Sequence, residues 1–135
     1  MISVARNKCL DIKKGSQEPG APLILYPNNE QDNQIFHICP VKDDYCAIVA
    51  AHSLMVLDVE KEIAENSTPV IQYPYHGGDN QLWKLEKVDG HYVIHSKLNH
   101  NLVLDIQKGN PDDSTSIIIY EYHNSPNQIF ELVNV

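Results

Sequence analysis

The chain has 135 residues, enough for one domain with an ordinary core. Eighteen Asp and Glu against ten Lys and Arg leave a net charge of −8, which argues against nucleic acid and anionic membrane, since both need clustered positive charge. The longest aliphatic run, Ile117-Ile118-Ile119, is far too short to span a bilayer, so no membrane insertion is expected.

Residues 1–6 lack the basic start and apolar stretch of a secretory signal. The expectation is a cytosolic chain, one exported by another route, or a piece of something longer. Cys9, Cys39 and Cys46 are odd in number, which argues against a fully paired framework. Free thiols are expected, with one bridge plus one thiol as the alternative. Their spacing fits no zinc site.

In chain order, short runs rich in Val, Ile, Leu and Tyr fall at 9–12, 23–26, 34–38, 45–49, 56–59 and 70–73. Further runs fall at 81–85, 92–95, 103–106, 117–120 and 128–132. Turn residues separate them, as in Pro19-Gly20, Gly77-Gly78, Asp89-Gly90 and Asn110-Pro111. Short strands at even spacing predict an all-β barrel or sandwich. Residues 59–65 read locally as helical, but their counterparts after residues 12 and 106 are loop-like. A loop with one helical turn is expected there.

The runs belong to a repeat. Leu10-Asp11-Ile12 returns as Leu57-Asp58-Val59 and Leu104-Asp105-Ile106, each time after 47 residues. Asn33-Gln34-Ile35-Phe36 returns as Asn80-Gln81-Leu82-Trp83 and Asn127-Gln128-Ile129-Phe130 at the same step. Tyr26, Tyr73 and Tyr120 keep it too, as do Ile24, Ile71 and Ile118. A shared period of this kind is the signature of a repeat architecture. The units are 1–47, 48–94 and 95–135, with four strands expected in each. The first unit has no counterpart of Tyr45 and Tyr92.

Catalytic motifs are missing: there is no phosphate loop, G-x-S-x-G or H-E-x-x-H. His91 and His95 read as polar positions on a strand. Asp43-Asp44 and Asp112-Asp113 read as loop carboxylates, and Asn66-Ser67-Thr68 as a turn. No enzyme activity, cofactor or metal is expected.

What recurs besides the core is polar and aromatic. The sets are Asp11, Tyr26, Asn29, Asn33 and Gln34; Asp58, Tyr73, His76, Asn80 and Gln81; and Asp105, Tyr120, His123, Asn127 and Gln128. Tying down turns would explain part of this. A sugar site would explain more. An ionised Asp accepts from two hydroxyls, an Asn both donates and accepts, and a ring stacks on the C–H face of a pyranose. Tyr75 and Tyr122 repeat in two units and read equally as rim contacts or packing.

At these residues the sequence resembles the ricin B-type (R-type) lectins and the related carbohydrate-binding modules of glycanases. The family pattern is a hydrophobic-Asp-hydrophobic strand, an aromatic about fifteen residues on, and a closing Q-x-W. Here Tyr26, Tyr73 and Tyr120 each stand fifteen residues after the Asp, and the closing motif is Gln34-Ile-Phe36, Gln81-Leu-Trp83 and Gln128-Ile-Phe130. The resemblance implies a β-trefoil with up to three sugar sites. It also implies roles: the three Asp and three Asn bond hydroxyls, the three Tyr stack, and Asn29, His76 and His123 sit at a polar position some members use. Gln34, Gln81 and Gln128 would brace the Asp from behind. The implied partners are glycans on glycoproteins or glycolipids, with galactose or N-acetylgalactosamine foremost, and a homodimer stays open.

There are departures. Phe36 and Phe130 replace Trp, Asn28 stands where a family disulfide to Cys9 would close, and Ile24, Ile71 and Ile118 stand where galactose sites often place a polar residue. Likeness to the family pattern ranks the units second, third, first. The alternatives are a binding module detached from a glycanase or toxin, and a trefoil that binds proteins, such as a protease inhibitor.

Overall fold

The computed structural model describes residues 2–4 and 7–134. Among these residues twelve strands follow one another: β1 (Ile2–Val4), β2 (Lys8–Ile12), β3 (Leu23–Pro27), β4 (Phe36–Lys42), β5 (Tyr45–Ala50) and β6 (Val56–Val59), then β7 (Val70–Tyr73), β8 (Trp83–Val88), β9 (His91–Ser96), β10 (Asn99–Ile106), β11 (Ile117–Glu121) and β12 (Glu131–Leu132). The remaining regular structure among the described residues is six single 3₁₀ turns. A strand does stand at the start of the first unit, in β1, although the chain offers no partner there for Tyr45 and Tyr92.

Every strand pairing among the described residues is antiparallel. Strands β4, β5, β8, β9, β12 and β1 follow one another round a barrel, with β9 and β12 joined by a bridge between Tyr92 and Phe130. The β8–β9 turn, Asp89-Gly90, has both residues at positive φ (51° and 85°), matching the twist of the strands it joins. The hairpins β2–β3, β6–β7 and β10–β11 form the cap. They meet one another through bridges between Pro22 and Ile71, Ile24 and Ser116, and Pro69 and Ile118. This is a β-trefoil.

Period-2 alternation decides which face each cap residue takes. Leu10 and Ile12 point inward with Leu23 and Leu25; Leu104 and Ile106 do so with Ile117 and Ile119. The second hairpin differs, with Leu57, Val59 and Val70 in the core. There Gln72 stands in the place of Leu25 and Ile119, fully buried and bonded to the Ser16 and Glu18 carbonyls and the Ser53 hydroxyl. Phe36, Trp83 and Phe130 close the core beneath. Trp83 is fully buried and donates Nε1–H to the Leu57 carbonyl at 3.2 Å. The closing aromatic is thus a core residue.

One sequence expectation needs correction. The Gln of each closing motif lies in a 3₁₀ turn ahead of the strand (Asp32–Gln34, Asp79–Gln81, Pro126–Gln128), because the strand begins only at or after the aromatic. The helical turn expected at residues 59–65 is one turn of 3₁₀, Glu60–Glu62, and the loop-like counterparts Lys13–Gly15 and Gln107–Gly109 share its shape. Backbone closure fixes that shape where local propensity differs. Cys9, Cys39 and Cys46 are all free thiols, and burial pushes those of Cys9 and Cys46 up to about 11.

Candidate functional site

Each cap hairpin turns one face away from the core, and the alternation that buries Leu10 and Ile12 puts Asp11 on it. Asp11 stands opposite Ile24, Asp58 opposite Ile71 and Asp105 opposite Ile118. Tyr26, Tyr73 and Tyr120 lie two residues beyond those isoleucines and so share their face. The chain then leaves the Asp strand through a 3₁₀ turn with two successive left-handed residues. These are Lys14 and Gly15 (φ 58° and 61°), Lys61 and Glu62 (55° and 58°), and Lys108 and Gly109 (56° and 63°). The turn folds back over the Asp and forms one wall of a pocket.

The pockets are open and similar in size. The first, about 430 Å³, is lined by Asp11, Tyr26, Asn29 and Asn33, with Lys13, Lys14, Gly15, Ile24, Gln31 and Ser114. The third, about 410 Å³, is lined by Asp105, Tyr120, His123 and Asn127, with Ser67, Gln107, Lys108, Gly109 and Ile118. The second, about 370 Å³, is lined by Asp58, Tyr73, His76 and Asn80, with Glu60, Lys61, Glu62 and Ile71. Each therefore gathers the Asp, Tyr and Asn of its own repeat with the Asn or His three residues after the Tyr.

The carboxylates are held in place. Gln34 Nε2 donates to Asp11 Oδ2 at 2.8 Å and to the Pro27 carbonyl at 2.9 Å. Its Oε1 accepts the Asn29 N–H at 2.9 Å. Gln81 repeats this with Asp58, the Pro74 carbonyl and the N–H groups of His76 and Gly77. Gln128 repeats it with Asp105, the Glu121 carbonyl and the His123 N–H. These glutamines are fully buried and line none of the three pockets; their bonds fix the Asp and the loop after the Tyr.

Asn33 and Asn127 each donate to the other Asp oxygen (3.2 and 3.1 Å) and to a strand carbonyl, Ile12 or Ile106. Asn80 donates to the Val59 carbonyl at 3.2 Å, and its Oδ1 is buried without a partner. Gly15 and Gly109 lie against Asn33 and Asn127; in the second pocket that place belongs to Glu62, and Asn80 is only 3% exposed. Burial raises the pKa of all three Asp, and the Gln and Asn bonds oppose it. Glu62 raises Asp58 further.

The rings and the polar residue beside them complete the wall. Tyr26 and Tyr73 are 38% and 44% exposed and line the first and second pockets. His76 and His123 stand edge-on to Tyr73 and Tyr120, with centroids 6.4 and 6.0 Å apart. The Gly78 N–H donates to His76 Nδ1 at 3.1 Å, so the ring's proton sits on Nε2. The same nitrogen of His123 meets the Ser125 hydroxyl. Asn29 Oδ1 accepts the Gln31 N–H, leaving its NH₂ as the group that can donate. Tyr75 and Tyr122 are exposed and line none of these pockets.

Sequence reasoning missed two contributors. One is the 3₁₀ turn after the Asp, whose residues change from unit to unit. The other comes from a neighbouring unit. The Ser114 N–H bonds Leu25 and the Ser67 N–H bonds Ile119, which brings Ser114 to the first pocket and Ser67 to the third. Gly20 bonds Gln72 in the equivalent way and carries no side chain to the second. Lys8 fixes the Ser114 segment by pairing with Asp113 at 2.9 Å and donating to the Pro111 carbonyl.

The structure is similar to solved ones of known kind. A designed threefold-symmetric protein, ThreeFoil, is 36% identical, with TM-score 0.95 over 99% of this chain and 96% of that one. An exo-β-1,3-galactanase from Clostridium thermocellum is 32% identical with TM-score 0.93; the match covers 99% of this chain but 29% of the enzyme's. The C-half of the earthworm R-type lectin, solved with GalNAc, is 20% identical with TM-score 0.67, over 90% and 86% of the two chains, and shows the shared fold. No curated protein matches. Residues 1–130 match the model of the ricin-type β-trefoil lectin domain, and the chain belongs to that lectin family.

Proposed function

We propose that this chain is a multivalent lectin that binds one terminal pyranose in each of its three pockets. Carbohydrate binding is the property of the family to which it belongs. One observation carries the finer reading: an Asp carboxylate, an exposed or half-exposed Tyr ring, and an Asn or His N–H converge on an open pocket three times. A pyranose needs those groups and nothing more. The Asp accepts from adjacent hydroxyls, the ring covers the C–H face, and the N–H donates to a ring or hydroxyl oxygen. None of these steps moves a proton or forms a bond, which is binding without catalysis.

Galactose and N-acetylgalactosamine are the ligands to try first. Open pockets of this size give weak single contacts, and a dissociation constant near 1 mM is only about 4 kcal/mol. Three on one body can raise avidity on a clustered surface by roughly 10²–10⁴, enough to agglutinate cells. A module of a larger glycan-acting protein is the second reading, favoured by the galactanase, of which the matched trefoil is a minor part.

Glycan-array binding and calorimetric stoichiometry test the proposal. Binding should fall stepwise through Asp11→Ala, Asp58→Ala and Asp105→Ala. A folded triple variant that binds glycans undiminished overturns the site assignment.

A further inference from the structure

The three pockets agree in their floor and differ in charge. The 3₁₀ turn that walls each one reads Lys13-Lys14-Gly15, Glu60-Lys61-Glu62 and Gln107-Lys108-Gly109. Its middle Lys is constant. The first position runs Lys, Glu, Gln, and the third Gly, Glu, Gly. Counting the lining side chains with the Asp, the first pocket carries a net charge of +1, the third 0 and the second −2. Three unit charges therefore separate the first pocket from the second at nearly equal volume.

The surroundings reinforce the split. In the second pocket Glu62 stands where glycine leaves the Asn open elsewhere, and the amide oxygen of Asn80 is buried without a partner. Glu62 also works against the ionised form of Asp58. The first pocket gains the Ser114 hydroxyl from the neighbouring unit, at a place where the second has Gly20.

We infer that the pockets sort saccharides by charge: the first favours a sugar carrying a carboxylate, and the second disfavours it. The inference rests on the sugar-site reading above. A carboxylate on a pyranose seated over Tyr26 would lie within a Debye length of Lys13 and Lys14; the same sugar over Tyr73 would face Glu60 and Glu62. Each such charge at the solvent edge is worth roughly two- to threefold in affinity, so three give about tenfold between the pockets at low salt. Lys14 and Lys61 hold the same place in the two walls and cancel, as do Asp11 and Asp58, so the difference rests on Lys13, Glu60 and Glu62.

The test uses the intact chain and two matched pairs of probes, methyl galactoside with galacturonate and methyl glucoside with glucuronate. Two-dimensional NMR reads each pocket separately through the backbone amides of Asn29, His76 and His123. The uronate should prefer the first pocket over the second by about tenfold relative to its neutral partner, and about 0.5 M salt should shrink that preference. Lys13→Glu should lower the first pocket's share, and Glu60→Lys with Glu62→Gly should raise the second's, with neutral glycosides unchanged at the first pocket in the latter variant. Neutral glycosides that bind while uronates keep the same ratio at every pocket would overturn the charge sorting and leave the sugar sites standing. Failure of every probe in the millimolar range would remove the sites and the sorting together.

Discussion

The floor and the rim of these pockets obey different rules. The floor is one structure made three times: a strand Asp, a buried Gln behind it, and a loop whose N–H groups that Gln receives. The rim is three structures: Lys-Lys-Gly, Glu-Lys-Glu and Gln-Lys-Gly, with Ser114, no side chain, or Ser67 arriving from the neighbouring unit. The floor is repeated because its Asp and Gln are buried and bonded to each other, so a change in one leaves the other short of a partner. The rim is free to vary because solvent satisfies whatever stands there.

The sharpest way to break this comparison is to remove a floor glutamine. Gln81→Ala strips partners from Asp58, the Pro74 carbonyl and two backbone N–H groups at once. Buried groups left unpaired cost about 1–3 kcal/mol each, partly relieved by entering water, so a loss of about 3 kcal/mol is expected. Gln34→Ala and Gln128→Ala should match it closely. Lys13→Ala on the rim should change stability by less than about 0.5 kcal/mol. Denaturant unfolding measures all four, and rim and floor costs of equal size would erase the distinction.

The same division explains what could be read from the chain. The 47-residue step exposed the strands, the core and each Asp, Tyr and Asn, because repeated residues answer to repeated geometry. The sequence points to the turn after the Asp but not to its place in the pocket wall, since only its middle residue repeats, as Lys14, Lys61 and Lys108. Ser114 and Ser67 reach pockets of other units through hairpin-to-hairpin contacts, which no local pattern announces. The closing Gln reads as part of its strand, because Q-x-W looks like one run until the 3₁₀ turn divides it.

Acid should separate floor from fold by a smaller effect. The folded-state pKa of Asp11, Asp58 and Asp105 lies above the ordinary 3.8, chiefly through burial. Their titration therefore favours folding below the ordinary value and loses that favour as pH rises through the raised one. Ligand binding has the opposite sign, because it needs the carboxylate. Lowering pH through the raised value should release sugar several-fold from a chain that is still folded. Site-resolved NMR beside circular dichroism follows both, and unfolding that precedes release at all three pockets would contradict the sign.

The smallest effect tests the rim by itself. Glu62 holds φ 58°, the conformation that Gly15 and Gly109 take in the other two turns. A side chain there costs about 1 kcal/mol relative to glycine. Glu62→Gly should accordingly stabilise the chain by about that amount, and more if water then reaches the Asn80 oxygen. Gly109→Ala is the mirror experiment. A Cβ built at Gly109 meets Asn127 no closer than 3.8 Å, an ordinary contact, so its cost of about 1 kcal/mol would be backbone strain alone. Equal and opposite shifts in the denaturant midpoint would show that the second unit keeps Glu62 against its own stability, which is what a residue retained for the ligand's charge requires. A Glu62→Gly variant no more stable than the parent would mean that the left-handed turn costs nothing, and that Glu62 can persist there without a function.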